Sequence, residues 1–230
     1  MSNKLQLETI ALAPGLCLIF DMDGVIVDSN PVHREAWAAF TRRFGLETTE
    51  EMFRRTNGWR NDRILRDFFG DGLSEEEVAV RGAAKEAIYR EMMGDGIEER
   101  LVPGVRQFLE RYRGAPMGLA SNAERANVDF LLERGGLRPY FGAVVDGSQV
   151  SRPKPDPEIY LRTAELLETA PANCIVFEDS HSGVEAAGVA NMRIVLVGTT
   201  HGDLPGSNIT IDNFNSRYLI EWLSVQRRID

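Results

Sequence analysis

Short apolar runs recur along the chain, each bounded by residues that favour turns. They cover residues 16–20, 116–120, 143–145, 174–177 and 194–197. Runs of this length that are apolar throughout are typical of strands buried on both faces of a sheet. Amphipathic helical patterns separate most of them, at residues 105–112, 126–134, 157–167 and 182–190. This alternation predicts an α/β fold with a doubly wound, Rossmann-like parallel sheet as its core.

The stretch from Val27 to about Gly104 interrupts this alternation. It contains no convincing strand, only amphipathic helical segments, and it is far too long for a strand-to-helix connection. We therefore predict an inserted α-helical cap domain over residues 29–103, with the core domain formed by residues 1–28 and 104–230. Turn-forming residues at 28–31 and 94–103 predict two hinges.

Length and charge narrow the class of protein. The 230 residues suffice for a full core plus a helical domain. A formal net charge of -9 argues against general affinity for nucleic acid or anionic membranes, which attract clustered Lys and Arg. Cys17 and Cys174 fall within apolar runs, which fits a reduced compartment. We expect a cytoplasmic protein, a monomer or weak homo-oligomer, that binds neither nucleic acid nor membrane.

Acidic and small polar residues follow three of the apolar runs directly. The carboxyl ends of parallel strands share one edge of a sheet, and ligands bind there. The residues concerned are Asp21 and Asp23, Ser121 and Asn122, and Glu178 and Asp179. Converging carboxylates repel one another unless a cation lies between them, and their hard oxygens suit Mg²⁺. The sequence therefore predicts a magnesium ion at this edge.

Lys154, in the loop at residues 152–157, can reach the same edge. Together with the hydroxyl of Ser121 and the amide of Asn122 it can cradle a dianionic phosphate. Each motif alone is ambiguous, because a DxDG sequence is more often a polar turn and a Ser-Asn pair is commonly a helix cap. Their joint occurrence at strand ends favours a functional site.

Four of these segments also resemble the ordered motifs of the haloacid dehalogenase superfamily. They are residues 20–25 (FDMDGV), 120–122 (ASN), 154–157 (KPDP) and 177–180 (FEDS). The resemblance spans about residues 16–198. The helical insert between the first two motifs is similar to that of the subfamily containing β-phosphoglucomutase and phosphoglycolate phosphatase. Magnesium-dependent phosphoryl transfer from a small phosphate ester is implied.

The resemblance implies roles for the acidic residues. Asp21 attacks phosphorus and forms an aspartyl-phosphate, which divides one difficult displacement into two easier ones. Asp23 acts as the general acid and base and binds the metal through its backbone carbonyl. Asp179 is a direct ligand of Mg²⁺ together with Asp21, and Glu178 is a ligand or a supporting partner.

The remaining core residues receive roles by the same resemblance. Lys154 and Ser121 stabilise charge on the transferring oxygens, and Asn122 orients Asp21 or the phosphoryl group. Asp23 favours phosphate chemistry, because superfamily members that displace a halide need no proton for the leaving group and lack this residue.

Four residues of the insert are candidates for substrate binding. His33 and Trp37 lie four residues apart, hence on one helical face, and β-phosphoglucomutase has a His and a Trp at matching positions. Ser29 matches a hydroxyl residue there, and Arg60 lies in a segment that resembles the cap's substrate-specificity loop. The alternatives are packing inside the cap for Trp37 and a solvated hinge position for His33.

Departures from the mutase pattern favour a phosphatase of small phosphorylated metabolites, such as sugar phosphates. The spacing from Gly58 is one residue shorter, Glu91 stands where a mutase has a cap lysine, and Asn122 replaces an alanine. We see no cap lysine able to form a Schiff base, which argues against a phosphonatase. The alternatives are a β-phosphoglucomutase-type mutase and, in another class, a non-catalytic metal-binding module.

Overall fold

A computed structural model of the chain describes residues 11–229. Within them the core is a six-stranded parallel sheet in the order β3-β2-β1-β4-β5-β6. The strands are β1 (Cys17–Phe20), β2 (Met117–Ala120), β3 (Ala143–Val145), β4 (Cys174–Glu178), β5 (Arg193–Val197) and β6 (Ile209–Ile211). The order reverses between β1 and β4, and in such sheets the ligand crevice lies at that reversal. The predicted doubly wound sheet is thereby confirmed.

Helices cover the sheet and form the insert. Those of the insert are α1 (Asn30–Arg42), α2 (Glu50–Thr56), α3 (Asn61–Phe69) and α4 (Glu75–Met93). Those around the sheet are α5 (Val105–Arg111), α6 (Arg125–Arg134), α7 (Glu158–Leu166), α8 (His181–Val189) and α9 (Arg217–Ser224). The sequence pattern missed β6, because a three-residue run between turn formers is too short to show a period, and it also missed α9.

Both faces of the sheet are buried against helices. Leu18 and Phe20 of β1 belong to one apolar cluster, whereas Cys17 and Ile19 belong to a second cluster on the other face. This alternation follows from the two-residue period of a strand. Phe20 also stacks on Phe177 of β4, with ring centroids 4.7 Å apart. The strand ends that carry the acidic residues therefore rest on a rigid apolar layer.

The two connections to the insert pair with each other. Val27 and Leu101 form an antiparallel bridge, and the Val102 N–H donates to Ile26 O over 3.0 Å. The predicted hinge at 28–31 is partly helical, since α1 begins at Asn30. The boundaries of the cap at residues 29 and 103 stay a prediction, and residues 1–10 of the predicted core domain lie outside the described part.

None of the helices within residues 11–229 combines the length and the apolar character needed to cross a bilayer.

Candidate active site

Lys154 lies at the centre of the core part of the site. Its Nζ donates to Asp21 Oδ1 over 2.5 Å, to Glu178 Oε1 over 2.7 Å and to Ala120 O over 3.0 Å. Burial alone lowers the pKa of this lysine, but the two facing carboxylates outweigh it and hold the pKa above its ordinary value. Lys154 is therefore a fixed positive charge beside the predicted nucleophile.

Three buried carboxylates gather around this lysine. One oxygen from each of Asp21, Glu178 and Asp179 lies within 4.8 Å of the others. Burial raises the pKa of Asp21 to about 8, although the attraction of Lys154 opposes this rise. Repulsion from Glu178 and Asp23 adds to the effect of burial. Burial and repulsion from Glu178 and Asp21 also raise the pKa of Asp179. One lysine does not neutralise three carboxylates, so the donor set fits a divalent cation.

Glu178 is already saturated with hydrogen-bond donors. Its Oε1 accepts from Lys154 Nζ and, over 2.7 Å, from the Tyr160 hydroxyl. Its Oε2 accepts from the N–H groups of Asp179 and Ser180 and from the Ser180 hydroxyl, over 2.8, 2.9 and 3.0 Å. A carboxylate has about four lone-pair sites. Glu178 therefore fits the supporting role better than direct ligation, which leaves Asp21 and Asp179 as the open carboxylates.

Two glycines let these carboxylates approach the backbone. Gly24 has φ +82°, and a Cβ there would overlap Asp179 Oδ2. A Cβ at Gly183 would overlap Glu178 Oε1. Asp179 Oδ2 also accepts from Asn30 Nδ2 over 3.1 Å and from the Thr200 hydroxyl. The turn after β1 and the start of α8 are thus shaped around the acidic cluster.

Asp23 is bonded to residues on the insert side. Its Oδ1 accepts from the Ser29 hydroxyl over 2.5 Å and lies 3.2 Å from His33 Nε2. Burial would raise the pKa of Asp23, but His33 and the two hydrogen bonds outweigh it and hold the pKa below its ordinary value. Ser29 is fully buried and holds Asp23, and its contact with substrate stays a prediction.

A cap lysine, which we did not anticipate from the sequence, reaches the same group. Lys85 Nζ lies 2.7 Å from His33 Nδ1, and the His33 ring stacks on Tyr89 with centroids 3.8 Å apart. Lys85 is therefore a cap lysine at the site, whereas the sequence showed none placed to form a Schiff base. Glu91, six residues further along α4 and thus turned by about 240°, is exposed. The absence of a lysine no longer argues against a mutase or a phosphonatase.

Ser121 and Asn122 follow β2, as predicted. Ser121 Oγ accepts from the Ala123 N–H over 3.1 Å, which leaves its own hydroxyl hydrogen available to a phosphate oxygen. Asn122 donates from Nδ2 to Gly58 O over 2.9 Å and accepts at Oδ1 from the Lys154 N–H over 3.2 Å. Its amide thus joins the Lys154 loop to the cap, and these bonds do not orient Asp21.

A cavity of about 440 Å³ extends from the acidic cluster into the insert. His33, Trp37 and Arg60 line it, as predicted for substrate-binding residues. Trp37 also packs edge-on against Phe68, so the packing interpretation holds for part of its ring. Arg60 makes a bidentate pair with Asp62, over 2.9 and 2.6 Å. Lys85 Nζ lies 5.0 Å from the Trp37 ring centroid, and Lys85 also lines the cavity.

Several residues of the site were missed in the sequence, chiefly Asn30, Lys85, Glu86, Tyr160 and Thr200. Lys85 left a usable signal, because it shares the buried stripe of α4 with Val78, Gly82 and Tyr89. A charged residue on an apolar stripe needs a partner. The others contact the site only through tertiary packing.

The fold and the site together define a class of protein. The structure has a Rossmann-like core with a helical insert. A carboxylate and a lysine lie at the switch point, and a second acid follows two residues later. This is the arrangement that the sequence motifs predict. The chain belongs to the haloacid dehalogenase-like hydrolase family, whose model matches residues 16–191. It is therefore an enzyme, which argues against the alternative of a non-catalytic metal-binding module.

Relatives of the chain include proteins named as phosphatases and proteins named as phosphoglucomutases. The chain is 34% identical over 178 residues to "Fructose-1-phosphate phosphatase YqaB" of Escherichia coli, covering 77% of this chain and 94% of that protein. It is 30% identical over 190 residues to "Beta-phosphoglucomutase" of Bacillus subtilis, covering 79% and 82%. The crystal structure of β-phosphoglucomutase from Clostridium difficile superposes with a TM-score of 0.80 at 28% identity, covering 90% and 96%.

Proposed function

We propose that the protein is a Mg²⁺-dependent phosphatase of small phosphorylated metabolites, sugar phosphates foremost, and that it acts through an aspartyl-phosphate on Asp21. The observation that carries the proposal is the bond from Lys154 to Asp21 inside a cluster of buried carboxylates that borders a cavity. A carboxylate beside a fixed cation is held in place for attack on phosphorus.

The reaction has two displacements. In the first, an Asp21 oxygen forms a bond to phosphorus as the bond to the leaving oxygen breaks, and Asp23 gives its proton to the departing alkoxide. In the second, Asp23 takes a proton from water as the water oxygen bonds to phosphorus. The bond from Asp21 to phosphorus then breaks, and inorganic phosphate leaves. Proton transfer of this kind contributes roughly 10²- to 10⁴-fold.

Donors around Asp21 stabilise the transferring oxygens. Lys154 Nζ and the free hydrogen of Ser121 face the same strand edge. Asp21, Asp179 and the backbone carbonyl of Asp23 would hold Mg²⁺, which when bound supplies positive charge to the phosphoryl group. The buried, unneutralised carboxylates support this assignment.

Asp23 needs a proton before it can act as an acid. In the free enzyme His33 and Ser29 hold the pKa of Asp23 low, so the group is ionised. A phosphate dianion beside Asp23 favours the protonated form by like-charge repulsion. Substrate binding therefore favours the protonated form of Asp23, which can act as the general acid.

The charges on the cap side of the cavity favour a phosphatase over a mutase. A mutase that returns phosphate must hold a bisphosphate, whose second phosphate needs a cation of its own. Among the described residues, each cation on the cap side of the cavity faces a carboxylate within 3.2 Å: Arg34 with Glu50, Arg60 with Asp62, and Lys85 with Glu86. The E. coli relative supports the same choice.

A mutase remains the second candidate, supported by Lys85 and by the Bacillus relative. Phosphate release from sugar phosphates, phosphoglycolate, nucleotides and p-nitrophenyl phosphate tests both, with and without Mg²⁺. We expect magnesium-dependent release that is abolished in Asp21→Asn. Isomerisation of β-glucose 1-phosphate activated by glucose 1,6-bisphosphate, with negligible phosphate release, would establish the mutase instead.

A further inference from the structure

Asn127, on core helix α6, is held by two side chains of cap helix α4. Its Nδ2 donates to Glu86 Oε2 over 2.6 Å, and its Oδ1 accepts from Arg90 Nη1 over 2.6 Å. Arg90 also donates to Glu124, the residue before α6, over 2.7 Å. We call Glu86, Arg90, Glu124 and Asn127 the α4–α6 latch. Asn127 is 1% exposed, so the latch lies inside the contact between insert and core.

The amide of Asn127 matches the charge pattern of α4. Glu86 and Arg90 are four residues apart and therefore lie on one face of that helix. An amide has a donor end and an acceptor end, and here the donor meets the anion while the acceptor meets the cation. A residue with only one of these functions would satisfy one half of the pair.

A continuous chain of hydrogen bonds runs from this amide to Asp23. Glu86 Oε1 accepts from Lys85 Nζ over 2.8 Å and from Asn61 Nδ2 over 2.7 Å. Lys85 Nζ contacts His33 Nδ1, whose ring carries Nε2 to 3.2 Å from Asp23 Oδ1. The chain starts in the core, crosses the cap and returns to the core at the general acid and base.

Residues of both insert and core line the cavity, so separation of the two would widen the path of a substrate into it. Some of their other contacts are polar, such as Asn122 with Gly58, and polar domain contacts permit relative motion. Separation removes Asn127 from Glu86. Glu86 Oε2 thereby loses its bond from Asn127, while the same carboxylate holds Lys85 against His33 through Oε1.

We propose that Asn127 is a positioning residue that latches the cap onto the core and, through Glu86, Lys85 and His33, sets Asp23 for proton transfer only when the cap is closed. The proposal rests on the proposed function for its second half alone. The latch itself is a statement about the position of the cap.

Distances between spin labels test the latch without reference to activity. Val80→Cys on the cap, 63% exposed, and Glu133→Cys, exposed on α6, accept nitroxide labels, whereas both native cysteines are buried. Asn127→Ala and Arg90→Met break the latch from opposite sides, so a folding defect in one leaves the other informative. Arg125→Ala is the matched control, because Arg125 is exposed on α6 and pairs with Asp129.

With magnesium and inorganic phosphate present, we expect one short distance in the wild type and in Arg125→Ala. We expect an added population at longer distance in Asn127→Ala and Arg90→Met. Identical distributions in all four proteins would overturn the latch.

Kinetics test the coupling to Asp23. We expect kcat to fall about tenfold in both latch variants, the size of a typical coupling between sites, because the cap spends less time closed. KM should change much less, since the core residues still hold the phosphate. Altered distances with unchanged kcat would overturn the positioning role. A wild type inactive on every substrate would contradict the proposed function, while the distances would still judge the latch.

Discussion

The core half and the cap half of the site are built in different ways. In the core, Asp21, Ser121 and Glu178 lie at or directly after the ends of β1, β2 and β4, so the sheet fixes their spacing. In the cap, His33 and Lys85 project from α1 and α4, and only the packing of those helices brings them together. The core geometry is set by hydrogen-bonded strands, and the cap geometry by side-chain packing.

The two halves also differ in charge. Burial and mutual repulsion raise the pKa of Asp21 and of Asp179, because the core has more carboxylates than cations. In the cap, Lys85 and other neighbours overcome the effect of burial and lower the pKa of Glu86 to about 2. The core therefore fits the metal cation and the phosphate dianion of the proposed function. The cap is balanced and better suited to a neutral, hydroxylated leaving group, which accepts and donates hydrogen bonds.

Asp23→Asn gives the largest expected effect of the variants in this comparison. We expect turnover of sugar phosphates to fall by roughly 10²- to 10⁴-fold, because the alkoxide leaving group then receives no proton. p-Nitrophenolate is a good leaving group and needs none, so the first displacement should survive. Rapid mixing with p-nitrophenyl phosphate should show a burst of one p-nitrophenolate per enzyme, followed by slow turnover.

The control for this variant is Asp28→Asn, an exposed acid on the same loop. It should behave like the wild type. Equal losses for sugar phosphates and p-nitrophenyl phosphate, with no burst, would mean that Asp23 does not act as the proton donor.

Lys154→Met tests the charge balance of the core. We expect kcat to fall about 10²- to 10³-fold on all substrates alike, because one fixed donor to the transferring oxygens is lost. Lys154→Arg should not restore activity, since a planar guanidinium cannot repeat three short bonds from one ammonium. Arg152→Met, an exposed change in the same loop, is the control. Activity near the wild type in Lys154→Met would remove this residue from the mechanism.

The difference between the halves explains which parts of the site could be predicted from the sequence. Asp21, Ser121 and Asp179 were found because each directly follows a buried run, and parallel strands align their ends. Lys85 was missed because its position depends on the face that α4 turns to the cavity. Asn127 was missed because its partners come from a helix more than thirty residues away along the chain. Helical periodicity gives a face but not the neighbour that it meets.

Arg60→Ala tests whether the cap selects the leaving group. We expect kcat/KM to fall about tenfold for extended sugar phosphates and to stay near the wild type for p-nitrophenyl phosphate, as one pocket contact is lost. Arg55→Ala is the matched control, because Arg55 makes a bidentate pair with Asp67 in the same insert but does not line the cavity. An unchanged ranking of substrates would place Arg60 outside the substrate contacts.

Magnesium should stabilise the protein more at pH 8 than at pH 6. The pKa of Asp21 is raised from 3.8 to about 8, and that of Asp179 is raised as well. An acid with a raised pKa in the folded state contributes stability that is complete below its unfolded pKa and is lost as pH rises through the folded value. The metal-free protein therefore loses stability between about pH 4 and pH 8. Bound Mg²⁺ reverses that loss only where the carboxylates are ionised.

Thermal unfolding with and without MgCl₂ measures this difference. A tenfold change in affinity between the two pH values corresponds to about 3 °C in Tm for a chain of this size. Asp179→Asn should lose the magnesium-dependent rise, whereas Asp28→Asn should keep it. An equal rise at both pH values would show that protons and magnesium do not compete for these carboxylates, and the excess negative charge of the core would then not be what draws the metal.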